Sequence, residues 1–214
     1  MFLNRTTVLF AFSLVLCCSI SMCNDVDESD SGPYISAIMC GRNDFRRGDF
    51  VGRLQNSLDF LSFQSKESGL TMEVIVVEWN PFLDTPSLAT LVRKPPESHL
   101  SVRIITVDKA FHDQHVLGSG QDFFEFMAKN VGARRARGKF ILITNGDVIL
   151  NDALFEMLAS RRLQQDAFYR IVRTDLPGMM DPLSPLAMRL SAVSELVEML
   201  KPERTCARGE KECP

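Results

Sequence analysis

An α/β domain built on a mostly parallel sheet flanked by helices is the fold class this sequence predicts. Three observations point to it: short, almost unbroken apolar runs rich in β-branched residues, amphipathic stretches between them, and polar or glycine-containing breaks where the runs end. The length of 214 residues allows one domain, or one with an extension, at roughly 100–200 residues per domain. Hydrophobic residues make up 45% and charged residues 24%, which excludes a disordered or fibrous chain as the overall class. A net charge of −3 argues against a surface built as a whole to neutralise phosphates, so no nucleic-acid partner is expected.

The first element is an address segment. Residues 1–23 carry one positive charge, Arg5, and then the uncharged run Val8 to Met22 before Cys23 and an acidic stretch. That is the pattern of a secretory signal peptide. As a helix the run would span roughly 22 Å, short of the ~30 Å hydrocarbon core, so a cleaved peptide is favoured over a short type II anchor. The remaining chain is then expected in the secretory pathway, secreted or in the Golgi or ER lumen, with a membrane association only if the segment stays uncleaved. In that oxidising setting Cys206 and Cys213 can pair across their small loop, leaving Cys40 single and read as a small buried hydrophobe. Residues 24–33 are acidic and serine-rich and read as a linker.

The domain is expected over 34–176. Tyr34 to Cys40 reads as the first strand. Phe50, Leu54, Leu58 and Leu61 then share one helical face, with Asp49 as N-cap. Met72 to Glu78 (MEVIVVE) has the continuous apolarity of a strand buried on both faces, and Trp79-Asn80-Pro81 ends it. Val102 to Val107 reads as a third strand, Gln121 to Arg137 as a helix, and Phe140 to Thr144 as a fourth strand. Asp152 is placed to cap a helix from Ala153 to Leu163. The loop DKAFHDQHVLGSG holds His112 and His115, a weak metal signal better read as a solvated or substrate-side loop.

Asn145-Gly146 complicates the fourth strand, because two apolar runs around Asn-Gly are also a hairpin signal. On spacing alone the hairpin wins. Against it, Asn151-Asp152 follows so soon after Val148 that a second strand has little room.

In parallel sheets ligands bind outside the carboxyl ends of the strands. That rule selects Arg42-Asn43-Asp44, Glu78 and Asn145-Gly146-Asp147. Convergence of Asp44, Glu78 and Asp147 would suit a hard divalent cation and sugar hydroxyls, while Arg42 and Arg134 could face phosphate. Arg135 and Lys139 read instead as a solvated helix end. The chain has no Gly-x-Gly-x-x-Gly, no phosphate-binding GxxxxGK[ST], no GxSxG and no His-x-x-x-His.

The stretch Met127 to Leu150, MAKNVGARRARGKFILITNGDVIL, resembles the nucleotide-sugar glycosyltransferases of the GT-A fold, family 2-like. In that family a helix with Asn-x-Gly and a following Ala-x-Gly precedes a buried strand that ends in an Asp-x-Asp motif. The likeness runs from about Ile35 to Leu176, through Arg42-Asn43-Asp44, Glu78-Trp79-Asn80-Pro81 and YRIVRTD at Tyr169. It implies that Asp147 holds Mn2+ or Mg2+ on a nucleoside-diphospho sugar, with Asn145 where the first acid usually sits. It implies donor contacts from Arg42, Asp44 and Glu78, and from Asn130 and Arg134 on the helix. The acceptor, a glycan, protein or lipid, is not identified by these residues. Where GT-A enzymes carry the acceptor site, this chain has a breaker at Pro182 to Pro185, a helical extension over 177–203 and a charged tail over 204–214, so the fold is expected to be incomplete. No residue stands out as a catalytic base. Transfer activity is therefore one expectation, and a non-catalytic secreted or lumenal binding module, or a truncated inactive product, is the alternative.

Overall fold

A computed structural model of the chain describes residues 7–9, 12–14, 32–44, 48–96, 99–116, 118, 120–171, 175–177 and 180–199. At its centre four parallel strands form the α/β sheet that the sequence predicts. They are β3 (Ile35–Gly41), β4 (Met72–Trp79), β5 (Leu100–Val107) and β6 (Phe140–Ile143), in the order β5-β4-β3-β6. The chain steps outward from β3 to β4 and β5, then returns across β3 to β6. The strand order therefore reverses between β3 and β6, a Rossmann-like switch point.

The register aligns the strand ends. Ile35 pairs with Met72 and with Phe140, and Gly41 lies beside Glu78, which lies beside Thr106. Beyond β6 the sheet continues antiparallel through β2 (Phe12–Leu14) and β7 (Tyr169–Ile171), and β1 (Thr7–Leu9) pairs with β8 (Asp175–Pro177), so the described residues of the expected address segment are strands paired with the domain and not the helix considered for them. Among the described residues no helix is long and apolar enough to cross a membrane.

Both faces of the central strands are buried, which explains their unbroken apolarity. Alternate side chains feed two cores, since successive residues of a strand point to opposite faces. Ala37, Met39, Val74 and Val76 pack on one side with Leu54 and Leu58 of α1 (Phe50–Ser68) and with Phe155 of α5 (Asp152–Ala159). Ile38, Cys40, Ile75, Val77 and Trp79 pack on the other with Ala128 of α4 (Glu125–Ala133). Asp49 caps α1, accepting the Gly52 N–H, as its position predicts. The extension α6 (Leu186–Met199) docks on the domain through Val193, Phe60 and Ile149.

Several local expectations shift. α4 is shorter than Gln121 to Arg137 and leaves Phe123 and Phe124 ahead of it, packed in the core around Trp79. α5 begins one residue earlier than expected and ends at Ala159, because Asn151 rather than Asp152 supplies the capping oxygen, accepting the Leu154 N–H. Part of the loop with His112 and His115 is a helix, α3 (Lys109–His115), capped by Asp108. Tertiary contact stabilises it: the Trp79 indole N–H donates to His112 Nδ1 at 3.0 Å, and His112 is buried. That bond fixes His112 as an acceptor at Nδ1, not a free metal ligand on a solvated loop.

The hairpin alternative at Asn145-Gly146 does not form. Asn145 to Asp147 make a turn, and Val148, Ile149 and Leu150 run on as buried, non-strand chain into α5. The Cys206–Cys213 pairing, the linker up to Ser31 and the tail lie outside the described residues.

Candidate functional site

The loops that leave the carboxyl ends of β3, β4 and β6 gather on one edge of the sheet. Arg42, the first residue after β3, is buried at 2% exposure, and its guanidinium stitches the edge together. Nε donates to Asp44 Oδ2 and Nη2 to Asp122 Oδ2, each at 3.0 Å. Nη1 donates to the main-chain carbonyls of Asn80 (3.2 Å) and Asp122 (3.0 Å), and the guanidinium carbon lies 4.4 Å from the centre of the Phe82 ring. Planar, multiply bonded arginine of this kind loses little by being held still. Asn80 reinforces the junction: its side-chain amide donates to the Asp122 carbonyl at 2.9 Å, and it adopts a left-handed φ of 48° that asparagine tolerates.

Glu78 is fully buried one strand away. Its Oε1 accepts the Leu88 N–H at 2.8 Å and its Oε2 accepts the Thr106 hydroxyl at 3.1 Å. The carboxylate thus anchors the first turn of α2 (Leu88–Leu91), a helix N-terminus that favours negative charge.

At the switch point the turn after β6 faces the start of α1. The Phe50 ring fills the space between the strand ends: a Cβ added at Gly41 would overlap it, and one at Gly146 would lie 2.9 Å from it. Asp147 Oδ2 lies 3.4 Å from Arg53 Nε, longer than the ~2.8 Å of a tight charge-assisted bond. Asn145 Oδ1 accepts from Lys129 Nζ at 2.8 Å, and that ammonium also pairs with Glu125 at 2.6 Å.

Arg42, Asp44, Glu78, Asn145 and Asp147 thus all follow or end strands on this edge, with Arg42 and Asp44 bonded to each other, Glu78 turned to Leu88 and Thr106, Asn145 to Lys129 and Asp147 to Arg53. Asn130 and Arg134 pair with each other at 3.2 Å on the exposed face of α4, and Arg134 caps the helix end from which the chain returns to the start of β6. Asp122, Lys129, Arg53 and Phe82 complete the edge without having been singled out by sequence. Each is a lone polar or aromatic residue in a loop or on a helix, and only the fold reveals its partner. Among the described residues, no three His, Cys, Asp or Glu side chains cluster as a ready metal cage.

Cys40 lies behind this edge. Burial pushes its thiol up to about 12, against a smaller opposing pull from Lys129. Because the thiolate is the nucleophile, native Cys40 is expected to resist iodoacetamide at mildly alkaline pH and to label rapidly in denaturant. Peptide mapping of the labelled protein measures this, and equal labelling rates in both states would contradict it.

No protein-family model matches the chain, and no curated protein matches it.

Proposed function

We propose that this chain is a donor-binding domain of the GT-A glycosyltransferase type, which takes a nucleoside-diphospho sugar at the carboxyl edge of its sheet. The observation that carries the proposal is the Asn145-Gly146-Asp147 turn, which stands at the switch point beside the Arg42–Asp44 loop. Parallel sheets bind their ligands at such a position.

The chain's own residues would divide the work. Arg42 holds the loops of β3 and β4 and the Asp122 segment in one arrangement, which presents Asp44 at the rim. Glu78 fixes α2 from behind. Asn145 and Lys129 offer polar contacts to donor hydroxyls or phosphate. Asp147 is the residue that would hold Mn2+ or Mg2+. One carboxylate is compatible with such an ion, because Mg2+ is commonly bound by one or two carboxylates with phosphate oxygens and waters supplying the rest. The chemistry a bound ion supplies is neutralisation of the charge that builds on the leaving diphosphate. Arg53 then has to release Asp147, and a guanidinium at this position is suited to pair with phosphate. Transfer would deliver the sugar to a glycan, protein or lipid acceptor in the secretory pathway.

A second reading, a lumenal or secreted module that binds donor without turnover, is favoured by one feature. The carboxylates of this edge are engaged by the chain itself: Asp44 by Arg42, Asp147 by Arg53 and Glu78 by Leu88 and Thr106. Donor hydrolysis separates the two, since the module would bind nucleotide and release no sugar on long incubation.

Calorimetry with nucleoside diphosphates, with and without manganese, tests binding. Asp147→Ala is expected to abolish the manganese-dependent part, a loss of at least about tenfold in affinity, equivalent to ~1.4 kcal/mol. Equal binding by both proteins would refute the assignment.

A further inference from the structure

A concave site lies away from the sheet's carboxyl edge, on the helical flank between α1 and α6. It is a groove of about 600 Å³, within the roughly 300–1,000 Å³ typical of small-molecule sites. Phe63 on α1, Pro96 before β5, Pro182 ahead of α6 and Leu186 at its first position give it apolar walls. Lys66, Arg93 and Lys94 stand around them.

The groove is built rather than incidental. Gln55 brackets the backbone of Arg93, accepting its N–H at 2.8 Å and donating to its carbonyl at 3.1 Å. Arg189, only 6% exposed, ties α6 to α1 through Asp59 (2.8 Å) and Asn56 (2.7 Å), and also donates to the Ser184 carbonyl at 3.0 Å. Arg93 adds a bond to the Pro182 carbonyl at 3.3 Å. Three separate segments are thereby held at fixed spacing, so little ordering cost remains for a ligand.

Charge decides what fits. Among the described residues, four cationic side chains line the groove against the single carboxylate of Asp59, although the chain as a whole carries −3. Asp59 is paired with Arg189 at 2.8 Å and with Arg93 at 3.6 Å, which leaves the exposed Lys66 and Lys94 to set the field. A local positive field over an apolar floor attracts an anion with an apolar body.

We propose that this groove is a binding site for a small anionic amphiphile, a carboxylate or phosphate carried on an apolar body. The head pairs with Lys66, Lys94 and the exposed side of Arg93. The body lies against Phe63, Leu186 and the prolines. The site is independent of the carboxyl edge and of the function proposed for it.

The test uses the full chain and the anionic fluorophore 8-anilinonaphthalene-1-sulfonate, with decanoate, decyl phosphate and decanol as competitors. Saturable binding at one site is expected, weakening as salt rises and displaced by decanoate or decyl phosphate far better than by decanol. Lys66→Glu/Lys94→Glu is expected to weaken binding at least tenfold with an unchanged melting temperature, and Phe63→Ala to weaken it while leaving the salt dependence intact. Because both lysines are exposed, loss of fold is not the expected consequence of their reversal, and the milder Lys66→Gln/Lys94→Gln pair is expected to show a smaller loss. Three results would each overturn the proposal: undiminished binding by the charge-reversed variant, displacement by decanol as effective as by decanoate, or binding only to anionic phospholipid vesicles and not to the monomeric amphiphiles.

Discussion

Glu73→Ala is expected to destabilise the folded chain by about 3 kcal/mol, the lower end of the cost of removing one partner from a buried charged network. For a chain of this size that corresponds to a fall of roughly 6–12 °C in melting temperature. Glu73, near the start of β4, is 2% exposed. Its Oε1 accepts the Ser36 hydroxyl at 2.6 Å and the Arg137 N–H, and its Oε2 pairs with Arg103 at 2.9 Å. Ser36 in turn accepts the Gly138 N–H at 2.7 Å. One carboxylate thus joins β3, β4, β5 and the segment entering β6, and its loss strands donors from three of them.

The same group makes stability depend on pH. Burial by itself pushes the Glu73 carboxyl up, but the bonds from Ser36, Arg137 and Arg103 together outweigh burial and hold it below its ordinary value of 4.5. A carboxyl held low when folded contributes stability that is present above that ordinary value and is lost as pH falls through the lower, folded value. Urea unfolding of the wild type and of Glu73→Gln is therefore expected to give a gap that is full near neutrality and narrows below about pH 4.5. A gap of constant size across that range would mean that the charge contributes nothing.

Gly138→Ala is the second large effect. A Cβ at this position would lie 2.5 Å from the backbone nitrogen of Ser36 and 2.8 Å from the carbonyl carbon of Ile35. Neither is the tip of a flexible side chain, so β3 and the start of β6 would have to separate. Those segments are hydrogen-bonded, Phe140 N–H to the Tyr34 carbonyl at 3.0 Å and Lys139 N–H to the Pro33 carbonyl at 3.2 Å. Overpacking of this kind costs about 3 kcal/mol or more, and a larger loss is expected for Gly138→Val. Thermal unfolding within a degree or two of wild type would show that the strands yield easily at this point.

Much of the fold was legible because burial on both faces writes itself into sequence. MEVIVVEW can be little but a central strand, and the α1 face of Leu54, Leu58 and Leu61, with Asp49 ahead of it, specifies a capped helix. Elements stabilised from a distance were not legible. α3 carries no apolar stripe of its own and exists where Asp108 caps it and Trp79 bonds His112. Asn151 and Asp152 are both competent caps, and the backbone leaving the buried Val148–Leu150 segment selects the first. At the candidate site the residues around Arg42 were found by one rule, that strand ends carry function. Their partners Asp122, Phe82 and Arg53 obey no periodic pattern that would have announced them.

Composition and hydropathy patterning by themselves determined that this chain forms a parallel α/β sheet and that its polar strand ends share an edge, because the period of burial is a local property. Which carboxylates remain open there was decided only in three dimensions. Glu78 is spent on α2, Asp44 on Arg42, and Asp147 faces Arg53 across a gap of 3.4 Å. Electrostatic pairing depends on distances between residues far apart in the chain, and packing alone sets those distances.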